Sequence, residues 1–176
     1  MENALIAAIS MAIILGGTLT LMLSAIPSVD TLAASWKEMS QHAGEMRRTE
    51  IVTDNCTVST DGAQVEITVR NDGGGSLSDF GSWDVIVSYD SGSSTYVQWL
   101  PYTSSMPPEN NKWTVSGIYF GGAAESIEPN ILNPGEDMKV IMQLSPAVGE
   151  NTVNSATIST PNGVASQSIF TRGGAP

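Results

Sequence analysis

The sequence predicts an α+β protein: a long N-terminal apolar α-helix followed by an immunoglobulin-like antiparallel β-sandwich. Three observations carry this. No charged side chain interrupts Asn3–Val29, a run of 27 residues. A seam of apolar residues at alternating spacings of three and four then continues to Met46. After residue 50 the hydrophobic period falls from 3.6 to 2, and short alternating stretches follow one another between turn signals. The chain divides accordingly into a helix over residues 1–50 and a sandwich over residues 51–176.

The helix comes first. At 1.5 Å per residue the uncharged run spans about 40 Å, more than the roughly 30 Å hydrocarbon core of a bilayer. A cleavable secretory signal would begin with basic residues and carry a shorter apolar stretch. Here Glu2 stands at the start without Lys or Arg, and the run is too long for that reading. Within it Ala4, Ala8, Ala12, Gly16, Thr20, Ser24 and Ser28 form an unbroken series of small residues four apart. Small residues let helix backbones approach closely in apolar surroundings. Each four-residue step advances the stripe by about 40° around the axis, so it meets several neighbours in turn, as in a many-helix bundle.

Pro27 removes a backbone donor and is expected to bend the helix without ending it. Beyond it Val29, Leu32, Trp36, Met39, Ala43 and Met46 make an a/d seam, with Lys37, Glu38, Glu45, Arg47 and Arg48 off the seam. Such a seam serves either a helix–helix contact or an amphipathic helix lying on its own domain. Glu38 with His42 and Glu45 with Arg48 are expected as helix-surface pairs of minor weight. A helix from Ala4 to about Thr49 would be roughly 70 Å long.

Strands are expected at Ile51–Ser59, 65–70, Trp83–Tyr89, Thr95–Leu100, Trp113–Phe120, Met138–Leu144, Val153–Ser159 and Val164–Phe170. Between them lie Asp61-Gly62, the run Asn71-Asp72-Gly73-Gly74-Gly75, Asp90-Ser91-Gly92, Asn133-Pro134-Gly135 and Pro161-Asn162-Gly163, all turn chemistry. Many short strands with such spacing point to a sandwich. Pro101–Asn111, with its Pro107-Pro108, reads as an exposed loop.

Charge excludes one class of partner. The formal net charge is −11, and residues 51–176 alone hold thirteen acids against Arg70, Lys112, Lys139 and Arg172, a net of −9. A domain so acidic repels phosphate backbones, so nucleic acid is not expected as a partner. Cys56, the one cysteine, can form no intrachain disulfide, and the fold must rest on its packed core. His42, the one histidine, lacks the companions a zinc site uses. It reads as a polar residue on the helix, and Cys56 as a small residue in the first strand.

No catalytic constellation is legible. The histidine sits outside the sandwich, which leaves no Ser-His-Asp or Cys-His arrangement. Gly73–Gly75 follows a strand but opens no helix and precedes no Lys, so it is a turn and not a phosphate cradle. Asp72, Asp79, Asp84 and Asp90 are grouped in sequence, yet lack a calcium-loop spacing and read first as solvated turn residues. Asn55-Cys56-Thr57 matches the N-glycosylation acceptor triplet. The seven Trp and Tyr residues from Trp83 to Tyr119 read as core and cross-strand pairs. No cofactor, metal or small-molecule substrate is expected.

The start Glu2-Asn3-Ala4-Leu5-Ile6-Ala7-Ala8-Ile9, the small-residue series, and the helix reaching Arg47-Arg48-Thr49 together resemble the archaellins, filament subunits within the wider type IV pilin-like superfamily. In the sandwich, Val69-Arg70-Asn71-Asp72-Gly73 and Leu132-Asn133-Pro134-Gly135-Glu136 look like the strand–turn segments of archaellin-type domains. Many type IV pilins carry glutamate at the fifth mature position, where this chain has Leu5. Archaellins commonly do without it, which turns the resemblance towards them. The resemblance implies a precursor with a short basic leader, a mature chain starting at Met1, insertion in the cytoplasmic membrane before assembly, and then a helical homopolymer at the cell surface, used in motility, whose bundle residues are the small series and the seam. The alternative it leaves is a membrane-anchored accessory, stator-type or adhesive pilus protein whose sandwich binds an envelope partner.

Overall fold

The computed structural model describes residues 2–173, except for the side chains of residues 23–28. The chain forms two compact units, one ending at Gly44 and one beginning at Glu45. The first belongs to α1, a single helix over Glu2–Arg48. Its backbone passes through Pro27 without ending, as expected. Met1 and the side chains of Ser24, Pro27 and Ser28 lie outside the described residues.

The second unit is a sandwich of nine strands: β1 (Ile51–Val58), β2 (Gln64–Asn71), β3 (Asp84–Asp90), β4 (Thr95–Leu100), β5 (Lys112–Phe120), β6 (Ala123–Ala124), β7 (Asp137–Gln143), β8 (Val153–Ser159) and β9 (Ala165–Thr171). One sheet runs β1-β2-β7-β5-β6 and the other β4-β3-β8-β9, every pairing within them antiparallel. Every expected strand is present. The two-residue β6 is an addition that carries no periodic signal of its own.

Alternation places one face of each sheet inside. Val65, Ile67 and Val69 of β2 and Met138, Val140 and Met142 of β7 meet Val85, Val87 and Tyr89 of β3, Ala156 and Ile158 of β8, and Phe170 of β9. Trp113 is fully buried and its ring stands edge-on to Tyr102 at 5.0 Å between centroids. The expected loop after Pro101 is therefore partly tethered: Tyr102 bridges to Trp113, and the Thr103 N–H donates to the Trp113 carbonyl at 2.8 Å. The segment beyond Phe120 is similarly pinned, because Leu77 and Leu132 exchange backbone hydrogen bonds at 2.9 and 2.7 Å. One lateral side of the sandwich is closed where β1 meets β9, with the Thr53 N–H donating to Ser166 Oγ at 3.0 Å.

Candidate assembly surface on the helix

Leu5, Ile9, Met11, Ile14, Leu15, Leu19 and Met22 are each more than half exposed, although they lie on different faces of α1. A helix that is apolar all round is stable only when lipid or protein surrounds it. The span Glu2–Met22, 21 residues, is long and apolar enough to cross a membrane. Its two threonine hydroxyls are turned inward on their own backbone. Thr20 Oγ1 donates to the Gly16 carbonyl at 2.8 Å, and Thr18 Oγ1 lies 3.0 Å from the carbonyls of both Ile14 and Leu15. These bonds remove the cost of placing a hydroxyl in an apolar medium.

Ala4, Ala8, Ala12, Gly16 and Thr20 are all exposed, and a Cβ built on Gly16 meets nothing within 4 Å. The small-residue stripe is thus open to a neighbour as far as it is described, and Ser24 and Ser28 fall outside that part. The seam is open as well. Val29, Leu32, Trp36, Met39 and Met46 expose between 42% and 65% of their surface, and Ala43 is exposed. Among the described residues, neither Glu38 with His42 nor Glu45 with Arg48 closes into an ion pair. The five ion pairs among the described residues all lie after residue 50, where opposite charges stand side by side on paired strands and in turns.

The last turn of the helix has a receptor that sequence reading did not supply. The N–H groups of Gly74 and Gly75 both donate to the Arg48 carbonyl, at 2.8 and 3.2 Å, and those of Asp72 and Gly73 donate to the Glu50 carbonyl. The C-terminal carbonyls of a helix need such donors. Asn71, fully buried at the end of β2, holds this loop in place: its Nδ2 donates to the Gly75 and Leu132 carbonyls at 2.8 and 2.9 Å, and its Oδ1 accepts from the Gly73 N–H. Asn162 Nδ2 donates to Thr49 Oγ1 at 2.7 Å. The signal that could have found this cap is Asn71-Asp72-Gly73-Gly74-Gly75 itself, three glycines behind an amide at a strand end.

The remaining candidates are dispersed. Asp72 pairs with Arg70 at 2.9 Å, Asp79 accepts from Ser82 Oγ, Asp84 accepts from Trp99 Nε1 at 2.8 Å, and Asp90 accepts from Thr95 Oγ1. Among the described residues no three of these carboxylates gather into a group that could hold a metal ion. Asn55 is exposed on a β-bulge of β1, at the register shift between Thr53 and Cys56. Burial pushes the Cys56 thiol up to about 11, against a smaller opposing effect of its hydrogen bond with Ser168. Trp99 is a cross-strand aromatic and not a core one: it stands opposite Ile86 of β3 and is 58% exposed. It falls on the outward phase of β4, the same phase as Val97.

A long apolar helix followed by an immunoglobulin-like sandwich is an archaellin-like fold. Comparison with solved structures gives the particulars. The archaeal flagellum of Methanospirillum hungatei strain JF1 is similar over 97% of this chain and 92% of its own, with a TM-score of 0.55 at 14% identity. The archaeal flagellin FlaB1 of Methanocaldococcus jannaschii is similar over 73% of this chain and 92% of its own, with a TM-score of 0.56 at 11% identity. The archaellum periplasmic stator protein FlaG of Sulfolobus acidocaldarius is similar over 69% of this chain and 99% of its own, with a TM-score of 0.51 at 24% identity. No protein-family model and no curated protein matches the chain.

Proposed function

We propose that this chain is a structural subunit of an archaellum-type extracellular filament and polymerises through α1. One observation carries the reading: exposed apolar side chains continue from Leu32 to Met46, beyond the uncharged run that ends at Val29 and is already longer than the hydrocarbon core of a bilayer. Lipid satisfies the first stretch of an anchored helix. It does not reach the seam, which needs other protein helices to leave water. Burying each CH₂ there yields about 0.8 kcal/mol, and a heterologous contact that does not close into a ring propagates into a filament. The subunit lies in the cytoplasmic membrane before assembly and outside the cell after it. Its partners are copies of itself, and Asn55 on its exposed bulge is the acceptor for a glycan. The similar solved proteins are archaellum components, which supports a role without catalysis.

A stator-type anchored protein is the second reading, favoured by the higher identity to FlaG, 24% over 69% of this chain. Shearing cells and imaging the released material by negative-stain electron microscopy, with mass spectrometry of any filaments, separates the two. Filaments composed chiefly of this chain are expected. Recovery of the chain only in the envelope fraction would overturn the filament in favour of the anchored stator-type protein.

A further inference from the structure

Strand β4 forms one margin of the second sheet, and among the described residues no strand pairs with its outer side. Exposed sheet edges template pairing with another chain, and proteins ordinarily blunt them with charge, proline or a bulge. The stretch Thr95-Tyr96-Val97-Gln98-Trp99-Leu100 has none of the three, and its register with β3 is unbroken. The outward face beside it is apolar: Val97 is 71% exposed, Trp99 58%, and Ile86, opposite Trp99, 43%.

Charge indicates what covers it. No Lys or Arg occurs in β3, β4, β8 or β9, and the only acids in those strands, Asp84 and Asp90, already accept hydrogen bonds from Trp99 and Thr95. A chain of net charge −11 repels its own copies wherever carboxylates face one another. At this edge they need not. We propose that β4 pairs antiparallel with β4 of a second copy about a two-fold axis, joining two sandwiches into one continuous sheet. Because side chains alternate with period 2, registers centred on Val97 or on Gln98 both keep Val97 and Trp99 on the outer face in each copy. Two such edges with their flanking side chains bury on the order of 1,000 Å², the lower bound for a specific interface. This contact is isologous, so it stands apart from the heterologous helix contacts within one filament and joins anchored chains before assembly or the sandwiches of neighbouring filaments.

Disulfide trapping in the full-length chain tests it. In a Cys56→Ser background, single cysteines are placed by Val97→Cys, Gln98→Cys and, as an exposed loop control, Ser126→Cys. Directly opposed residues across an antiparallel pair lie within bridging reach. Mild oxidation of intact cells should yield a covalent dimer of this chain from position 97 or 98, at least tenfold above the position 126 background. Adding Val97→Lys to the Gln98→Cys chain should remove its link, with the sandwich still resistant to trypsin. Background-level linkage at both 97 and 98, or linkage to a different protein, would overturn the proposal. A persistent 97 or 98 link in a chain confined to the envelope would count against the filament alone.

Discussion

The helix and the sandwich solve the problem of apolar surface in opposite ways. In the sandwich, Val65, Val69, Val87, Trp113 and Met142 are fully buried against one another. In the helix, Leu5, Leu15, Leu19 and Leu32 expose more than half their surface. The two regions use the same kinds of side chain. One therefore completes itself, and the other, on the proposed function, is half of an interface. The same substitution should then be read out by different instruments in the two places.

The largest expected effect breaks the self-sufficient half. Trp113→Ala removes the biggest fully buried side chain and its edge-on contact with Tyr102. It should cost about 3–5 kcal/mol of unfolding free energy, measured by urea denaturation of the full chain. Leu15→Ala removes an equally apolar group from α1, yet should shift the same unfolding curve by no more than about 0.5 kcal/mol. Its effect should appear as a lower yield of sheared filaments. Comparable unfolding penalties for the two would abolish the distinction.

That distinction was legible in sequence because each half has its own period. The uncharged run, the small-residue stripe and the seam mark α1, and alternation marks the strands, so every sizeable strand was expected. What escaped was non-local. Asn71 reads as a turn residue, and only the fold shows its amide joining Gly75 to Leu132, 61 positions away in sequence from Asn71. Trp99 reads as either a core residue or a cross-strand pair, and its sequence neighbours do not choose between them. Only the fold shows that it lies on the outward phase of β4, opposite Ile86 and exposed beside Val97. Pairing order lies between segments and leaves no trace in the composition of either.

A smaller effect is expected where the last helical turn is received. A Cβ on Gly73 would stand 2.4 Å from the Arg48 carbonyl oxygen and 2.6 Å from the Glu50 nitrogen, both backbone atoms that cannot swing away. Gly73→Ala should therefore release the cap and cost about 1–3 kcal/mol. Gly74→Ala, whose Cβ meets nothing within 4 Å, should cost well under half as much in the same urea titration. Equal effects would mean that the glycines serve loop flexibility and not close approach to the helix end.

The smallest effect is chemical and again contrasts the two regions. Burial holds the Cys56 thiol at about 11 against an ordinary 9.0. Two units correspond to roughly a hundredfold less thiolate. Iodoacetamide at pH 8 should therefore alkylate Cys56 about a hundredfold more slowly in the folded chain than in urea. The fold favours the protonated thiol, so this contribution to stability is complete below pH 9 and is lost as pH rises towards 11. A cysteine placed on the seam by Ala43→Cys, in a Cys56→Ser chain, should behave differently. It should react at an ordinary rate in detergent-dispersed monomer and become protected on assembly, because its shielding comes from other copies. Protection of position 43 in the monomer would mean that the seam lies on its own domain after all, leaving only the membrane-length part of the helix to seek partners.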